Sequence, residues 1–262
     1  MKWQQQTVVI TGAYGGLGQQ LCHVLSNLGV KLVITGRDQE KLFELQSKLK
    51  SSPHVLAGDV VSESFQEDLC QLLREMNSEG HILINNAAMS DVRFLNKQST
   101  KSIKQMLDVN LLAPILLSKT LQPWLSKARI GKIINIGSTF GAIGFPGFSG
   151  YCASKFGLRG FSQALSRELS DTSISVQYLA PRAIATGINS NQVDQLNMEL
   201  KTKVDTPEQL VPQIIAAIEK DKSEKFFGWP EKLFTKINGL FPSVVSGSIQ
   251  KEHKTIKNYL NQ

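Results

Sequence analysis

Thr7-Val8-Val9-Ile10-Thr11-Gly12-Ala13-Tyr14-Gly15-Gly16-Leu17-Gly18 is the stretch that decides the architecture. A short apolar run passes directly into a glycine-rich turn, and a helical pattern follows. Glycines there allow tight turning and let main-chain N–H groups approach a pyrophosphate. The N-terminus of the helix behind them adds a favourable dipole. A surface loop can show the same glycines. Their place between a strand and a helix favours a dinucleotide cradle made of Gly12, Tyr14, Gly15, Gly16, Leu17 and Gly18.

The same rhythm continues along the chain. Apolar runs recur at Lys31-Leu32-Val33-Ile34-Thr35, His54-Val55-Leu56-Ala57, His81-Ile82-Leu83-Ile84, Lys132-Ile133-Ile134-Asn135-Ile136 and Ile174-Ser175-Val176-Gln177-Tyr178-Leu179. Runs without strict alternation suit strands buried on both faces, as in a parallel sheet. Between them, Glu40 to Lys50 and Phe65 to Met76 carry apolar residues at helical spacing. Long helices are expected over 99–127 and 149–170, a shorter one after Thr206-Pro207, and a last strand over 225–229. The alternation predicts an α/β fold with right-handed crossovers, a doubly wound, Rossmann-like parallel sheet. No Pro-, Gly- or Ser-rich linker divides the chain, so one domain is expected. Residues 1–228 form its dinucleotide-binding and catalytic part, and 229–262 a C-terminal amphipathic extension.

Bulk properties narrow the function. The chain has 262 residues, 41% hydrophobic and 19% charged, an ordinary globular composition. No stretch approaches the ~20 apolar residues of a membrane span, and a secretory signal is not expected. Three scattered cysteines and four dispersed histidines offer neither a disulfide framework nor a metal site. They fit cytoplasmic surroundings. The formal charge of +7 reads as a solvated surface, or as attraction to a phosphorylated cofactor or an anionic membrane. Aromatic–basic interleaving of the kind that grips nucleic acid is absent.

Two places carry specific chemistry. After the second run comes Gly36-Arg37, where an NAD-binding chain usually places an acid for the ribose hydroxyls. Arg37 can pair with a 2′-phosphate, so NADP(H) is favoured over NAD(H). Asp38 beside it reads equally as a helix N-cap. Further on, Tyr151 and Lys155 stand four apart and share a helix face. An ammonium favours phenolate, so this pair predicts a tyrosine pKa below its usual ~10. Pro114 has no N–H for the carbonyl of Asn110, which is left free inside a helix or merely marks a bend.

In these residues the chain resembles the short-chain dehydrogenases/reductases, in their short single-domain branch. The matching elements are Thr11-Gly12-x-x-x-Gly16-x-Gly18, Asp59, Asn85-Asn86-Ala87, Asn110, Ser138, Tyr151-x-x-x-Lys155 and Pro181 with Thr186. The resemblance implies an NADP(H)-dependent oxidoreductase that interconverts a carbonyl and an alcohol by hydride transfer. It implies that Tyr151 exchanges the proton with the carbonyl oxygen and Ser138 orients that oxygen. Lys155 would hold the nicotinamide ribose, and Asn110 would anchor a water leading to it. Asp59 and Val60 would meet the adenine, Asn86 and Ala87 the cleft, and Ile184 and Thr186 the carboxamide. Ala88 and Arg182 stand where the family usually has glycine. Arg182 could touch cofactor phosphate, gate substrate, or point to solvent, and would be strained at positive φ.

Phe140, Ile143, Phe145 and Phe148 offer an apolar substrate wall, so a hydrophobic small-molecule substrate is preferred. Leu233, Phe234, Ile237, Leu240 and Phe241 fall on one helical face, with lysines 251, 254 and 257 beyond. That segment reads as a helix packed on the domain or covering the site, as a peripheral membrane contact, or as a subunit contact. A homodimer or homotetramer built on the long helices is expected. The competing functions are a non-catalytic dinucleotide-sensing regulator and an epimerase/dehydratase using the same Tyr-Lys pair. Regulators often lose the tyrosine or lysine, and epimerases usually carry a differently spaced glycine turn and a larger C-terminal region.

Overall fold

In the computed structural model, which describes residues 1–187 and 191–260, the opening run is strand β1 (Gln6–Ile10), buried at every position. In chain order there follow α1 (Gly16–Asn27), β2 (Lys31–Gly36), α2 (Gln39–Ser47), β3 (His54–Ala57), α3 (Glu63–Arg74) and β4 (Gly80–Asn85). Next come α4 (Thr100–Leu107), α5 (Ala113–Lys127), β5 (Ile130–Ile136), α6 (Ser149–Glu168) and β6 (Ile174–Ala180). The described chain closes with α7 (Asn191–Glu199), α8 (Pro207–Lys220), β7 (Glu224–Phe226), α9 (Glu231–Leu240), α10 (Pro242–Lys251) and α11 (His253–Leu260). The last two residues of the expected extension, 261 and 262, lie outside the described residues.

The seven strands form one parallel sheet in the order β3-β2-β1-β4-β5-β6-β7. Successive side chains point to opposite faces. Val8, Ile10, Leu32 and Ile84 meet Leu21 and Leu25 of α1 and Ile214 and Ile218 of α8. Val9, Val33, Leu83 and Ile133 meet Leu69 and Leu73 of α3 and Leu117 and Leu121 of α5. Helices cover both faces, which is why the strands read as unbroken apolar runs. Ile10 is level with Ile34 and Ile84. The loops after β1, β2 and β4 therefore emerge at one edge.

Three expectations change. The helix foreseen over 99–127 is broken by a π-turn at Asp108–Leu112. There the Ala113 N–H reaches back to the Asp108 carbonyl. Pro114 lacks the N–H that would engage Asn110, and a wider turn accommodates the fault. The last strand ends at Phe226 rather than 229, because Gly228 takes φ +85. The C-terminal apolar face is also not continuous, since α9 stops at Leu240 and the chain turns at Phe241. As expected, a helix follows Thr206-Pro207. Thr206 and Gln209 close a reciprocal capping box there.

Candidate active site

Strand order reverses direction between β1 and β4, and in open α/β sheets ligands bind at such a switch, beyond the carboxyl ends of the strands. A cleft of about 930 Å³ opens there. Gly12, Tyr14, Gly15, Gly16, Leu17, Gly18, Arg37, Asp59, Val60, Asn86, Ala87, Ser138, Tyr151, Lys155, Ile184 and Thr186 all border it. Asn110 does not.

The cradle end is shaped by glycine. Gly12 has φ +63, and a Cβ on it would come within 2.8 Å of the Ala87 backbone. A Cβ on Gly16 would lie 2.7 Å from the Thr186 methyl. Both positions need glycine for close approach. No side chain caps the N-terminus of α1, so its first N–H groups lack intrahelical partners and face the cleft. Asn86 braces the turn rather than reaching outward: its Nδ2 donates to the carbonyls of Thr11 and Gly12 at 3.0 and 3.1 Å. The Tyr14 ring lies against Gly36, with Lys41 Nζ 5.7 Å from its centroid. Arg37 is exposed and forms no ion pair among the described residues. Asp38 caps α2 by accepting from Lys41 N. Asp59 is exposed and accepts from Val61 N, while Val60 turns into the core. A glycine-walled phosphate cradle with an unpaired cation beyond it fits a phosphorylated dinucleotide.

The other end holds the titratable groups. Lys155 is 2% exposed, and its Nζ donates to the Ile136 carbonyl at 3.0 Å. It stands 5.8 Å from the Tyr151 ring centroid. Tyr151 sits edge-on to Phe140 and Phe148 at 6.5 and 6.3 Å. Burial pushes its phenol up to about 12, against the lowering effect of its hydrogen bond with the Ser138 side chain. Burial alone pushes Lys155 down to about 8. The sequence reading, in which the ammonium depresses the phenol, is therefore corrected. Desolvation sets the direction of both shifts.

Asn110 acts behind the cleft. Fully buried on the π-turn, its side chain accepts from Met89 N at 2.8 Å and donates to Met89 O at 2.9 Å. It also donates to Ser154 Oγ on α6 at 3.1 Å. It ties the loop after β4 to the tyrosine helix.

Arg182 borders the cleft but does not point to solvent. It forks onto Asp205 at 2.6 and 2.9 Å, pairs with Glu231 at 3.2 Å, and donates to the Trp229 carbonyl at 3.1 Å. Positive φ among the described non-glycine residues occurs at Lys201 and Asp221, so neither Arg182 nor Ala88 is strained in that sense. The acids that bind Arg182 lie far along the chain, and no local pattern points to them.

Phe140, Phe145 and Phe148 form the apolar wall. Ile143 does not reach the cleft. Val193, Leu196 and Leu200 complete the wall from α7 and the residue after it. Their i, i+3, i+7 spacing was the available signal. Tyr178 was also missed. It looks like an ordinary strand residue, yet its hydroxyl accepts from Ser138 N at 3.2 Å and donates to Ser138 O at 3.1 Å. Its ring fills the room left by Gly137 and Gly141.

A family model described as short chain dehydrogenase matches residues 6–197. The chain is 33% identical over 192 residues to the 3-oxoacyl-[acyl-carrier-protein] reductase FabG of Rickettsia prowazekii, covering 73% of this chain and 76% of that one. Among solved structures, it resembles a short-chain dehydrogenase from Sphingobium yanoikuyae in complex with NADPH. That match has TM-score 0.78 and 26% identity, and covers 92% of this chain and 95% of that one. A short chain dehydrogenase/reductase from Burkholderia phymatum in complex with NAD matches with TM-score 0.78 and 19% identity, covering 98% and 96%, a likeness of fold alone.

Proposed function

We propose, from the premise that the chain belongs to the short-chain dehydrogenase/reductase family and is an oxidoreductase, that it interconverts a hydrophobic carbonyl compound and its alcohol with NADP(H). The observation that carries this reading is Tyr151 beside Lys155 and Ser138, at the apolar end of a cleft whose other end is a glycine cradle. Bound NADPH supplies the hydride for the carbonyl carbon. The chain supplies the proton and the alignment. The Tyr151 hydroxyl delivers its proton to the carbonyl oxygen, and a phenol raised to about 12 is a stable reservoir for it at neutral pH. Ser138 orients that oxygen, and Tyr178 fixes the Ser138 backbone in turn. Lys155 holds the nicotinamide ribose. The peptide groups of Gly15 to Gly18 hold the pyrophosphate, and Arg37 the 2′-phosphate. Asp59 and Val60 border the adenine, and Ile184 and Thr186 the carboxamide.

Phe140, Phe145, Phe148, Val193 and Leu196 support an apolar substrate. The Rickettsia relative's activity makes an acyl-chain ketone the first compound to test. Residues 1–228 carry the reaction, and 229–262 form the extension. Exposed Leu112 on the π-turn and Phe156 on α6 support assembly through the long helices as a homodimer or homotetramer. Three free thiols support a cytoplasmic setting. The test is NADPH oxidation across a panel of 3-oxoacyl thioesters, ketones and aldehydes. Tyr151→Phe should lower the rate about 10²–10⁴-fold, the usual worth of a positioned acid, with NADPH binding retained. Undiminished turnover in that variant would remove Tyr151 from the reaction.

A further inference from the structure

Trp229 just before α9, Leu233, Phe234 and Leu240 along it, Phe241 at the turn and Val244 at the start of α10 are each between 38% and 74% exposed. Inward, α9 presents other chemistry: Thr235 is buried, and Asn238 Nδ2 donates to the Ala142 carbonyl at 2.8 Å. A surface helix normally does the reverse, with its apolar stripe against the core. A cluster of large exposed side chains marks an interaction surface.

The charge left unpaired beside this patch is positive. Lys220 ends α8, Lys222 follows it, Lys225 lies on β7 and Lys232 on the first turn of α9, a basic cluster in which partial burial and the neighbouring ammonium groups push the Lys225 pKa down. Lys232 Nζ stands 5.5 Å from the Trp229 ring centroid, so the cluster abuts the patch. The neighbouring acids are engaged elsewhere: Asp221 with Lys132, Glu224 with Arg159, Glu231 with Arg182. None of Lys220, Lys222, Lys225, Lys232 and Lys236 forms an ion pair among the described residues.

We propose that this surface docks on an anionic phospholipid bilayer, with Trp229, Phe234, Leu240 and Phe241 entering the interface and the lysine cluster meeting the headgroups. Apolar side chains rimmed by unpaired cations match that boundary on both counts. A second copy of the chain fits poorly, because a two-fold contact sets the same patch against itself and would oppose lysines to lysines. Among the described residues no helix is long and apolar enough to cross a membrane, so the contact is peripheral. Glu231, at the start of α9, borders the cleft, so docking holds the cleft beside the bilayer. The value of that placement for an apolar substrate rests on the reductase reading; the docking itself does not.

The test is flotation of the full chain with vesicles of phosphatidylcholine, with and without phosphatidylserine. We expect flotation with the serine lipid, weakened by salt, and little without it. Leu240→Glu with Phe241→Glu should reduce binding by at least about tenfold, since each anchor buries a large side chain. Lys225→Glu with Lys232→Glu should reduce it through charge alone, and a thermal melt and NADPH binding check that both variants fold. Three results would overturn the proposal: no flotation of the parent chain, equal flotation of folded variants, or flotation indifferent to phosphatidylserine. A change of oligomeric mass in the variants with flotation intact would assign the patch to a second copy instead.

Discussion

Burial moves the two titrations in the cleft apart, Tyr151 up to about 12 and Lys155 down to about 8. At neutral pH the phenol keeps its proton, as a donor for reduction requires. The charge of Lys155 is then the more vulnerable, because a depressed amine loses its proton as pH rises through its folded value. The kcat/KM for carbonyl reduction is expected to fall above about pH 8, with Tyr151 still protonated across that limb. A pH–rate profile flat to about pH 10, near the ordinary lysine value, would show that the amine keeps its charge or that its charge is not needed. Arg37 makes a separate claim at the cofactor's far end. Arg37→Asp should cut the preference for NADPH over NADH by about ten- to hundredfold, the worth of a charge-assisted hydrogen bond of ~1.5–3 kcal/mol. Dissociation constants for both cofactors in both proteins check it, and unaltered selectivity would move the 2′-phosphate elsewhere.

Elements position these residues through a few cross-links. The π-turn between α4 and α5 exists because Pro114 cannot donate, and it carries Asn110, whose amide clamps both backbone groups of Met89. Arg182 does similar work on the opposite wall. Its fork joins the loop after β6 to Asp205 ahead of α8 and to Glu231 at the start of α9. Ile184 pairs with Asp205 through the backbone in the same place. Arg182→Ala should destabilise the fold by roughly 2 kcal/mol, less than the ~3–5 of a fully buried pair because the ion pair retains some solvent contact. It should also raise KM more than it lowers kcat, since the loop borders the cleft while Tyr151 and Lys155 sit on another helix. Urea melts and steady-state kinetics separate the two effects. A fall in kcat alone would make Arg182 part of the reacting group.

Across the whole molecule, one sheet with level carboxyl edges gathers residues from Gly12 to Thr186 around one cleft. The seven-stranded order places the glycine turn of β1 and the loop of β4 on either side of the switch. The sheet was legible because each strand is covered on both faces and so carries an uninterrupted apolar run. The glycine turn and the Tyr151–Lys155 pair were legible because one secondary element aligns each of them. The shape of the extension was not. Periodicity grouped Leu233, Phe234, Ile237, Leu240 and Phe241 on one face, but it carries no information on whether that face meets protein or solvent. In the fold, Thr235 and Asn238 take the inner positions, and the apolar side chains are left outside with the lysines.

By itself the sequence determined the strand and helix alternation, the glycine-rich turn after β1 and the shared helix face of Tyr151 and Lys155. These depend on local backbone needs and on spacings within single elements. Only the tertiary structure decided the direction of the Tyr151 and Lys155 shifts, the partners of Arg182, the bracing of Ser138 by Tyr178 and the outward face of α9. Each of those depends on desolvation or contact between segments distant in the chain. Burial and long-range pairing arise only once the sheet has brought those segments together.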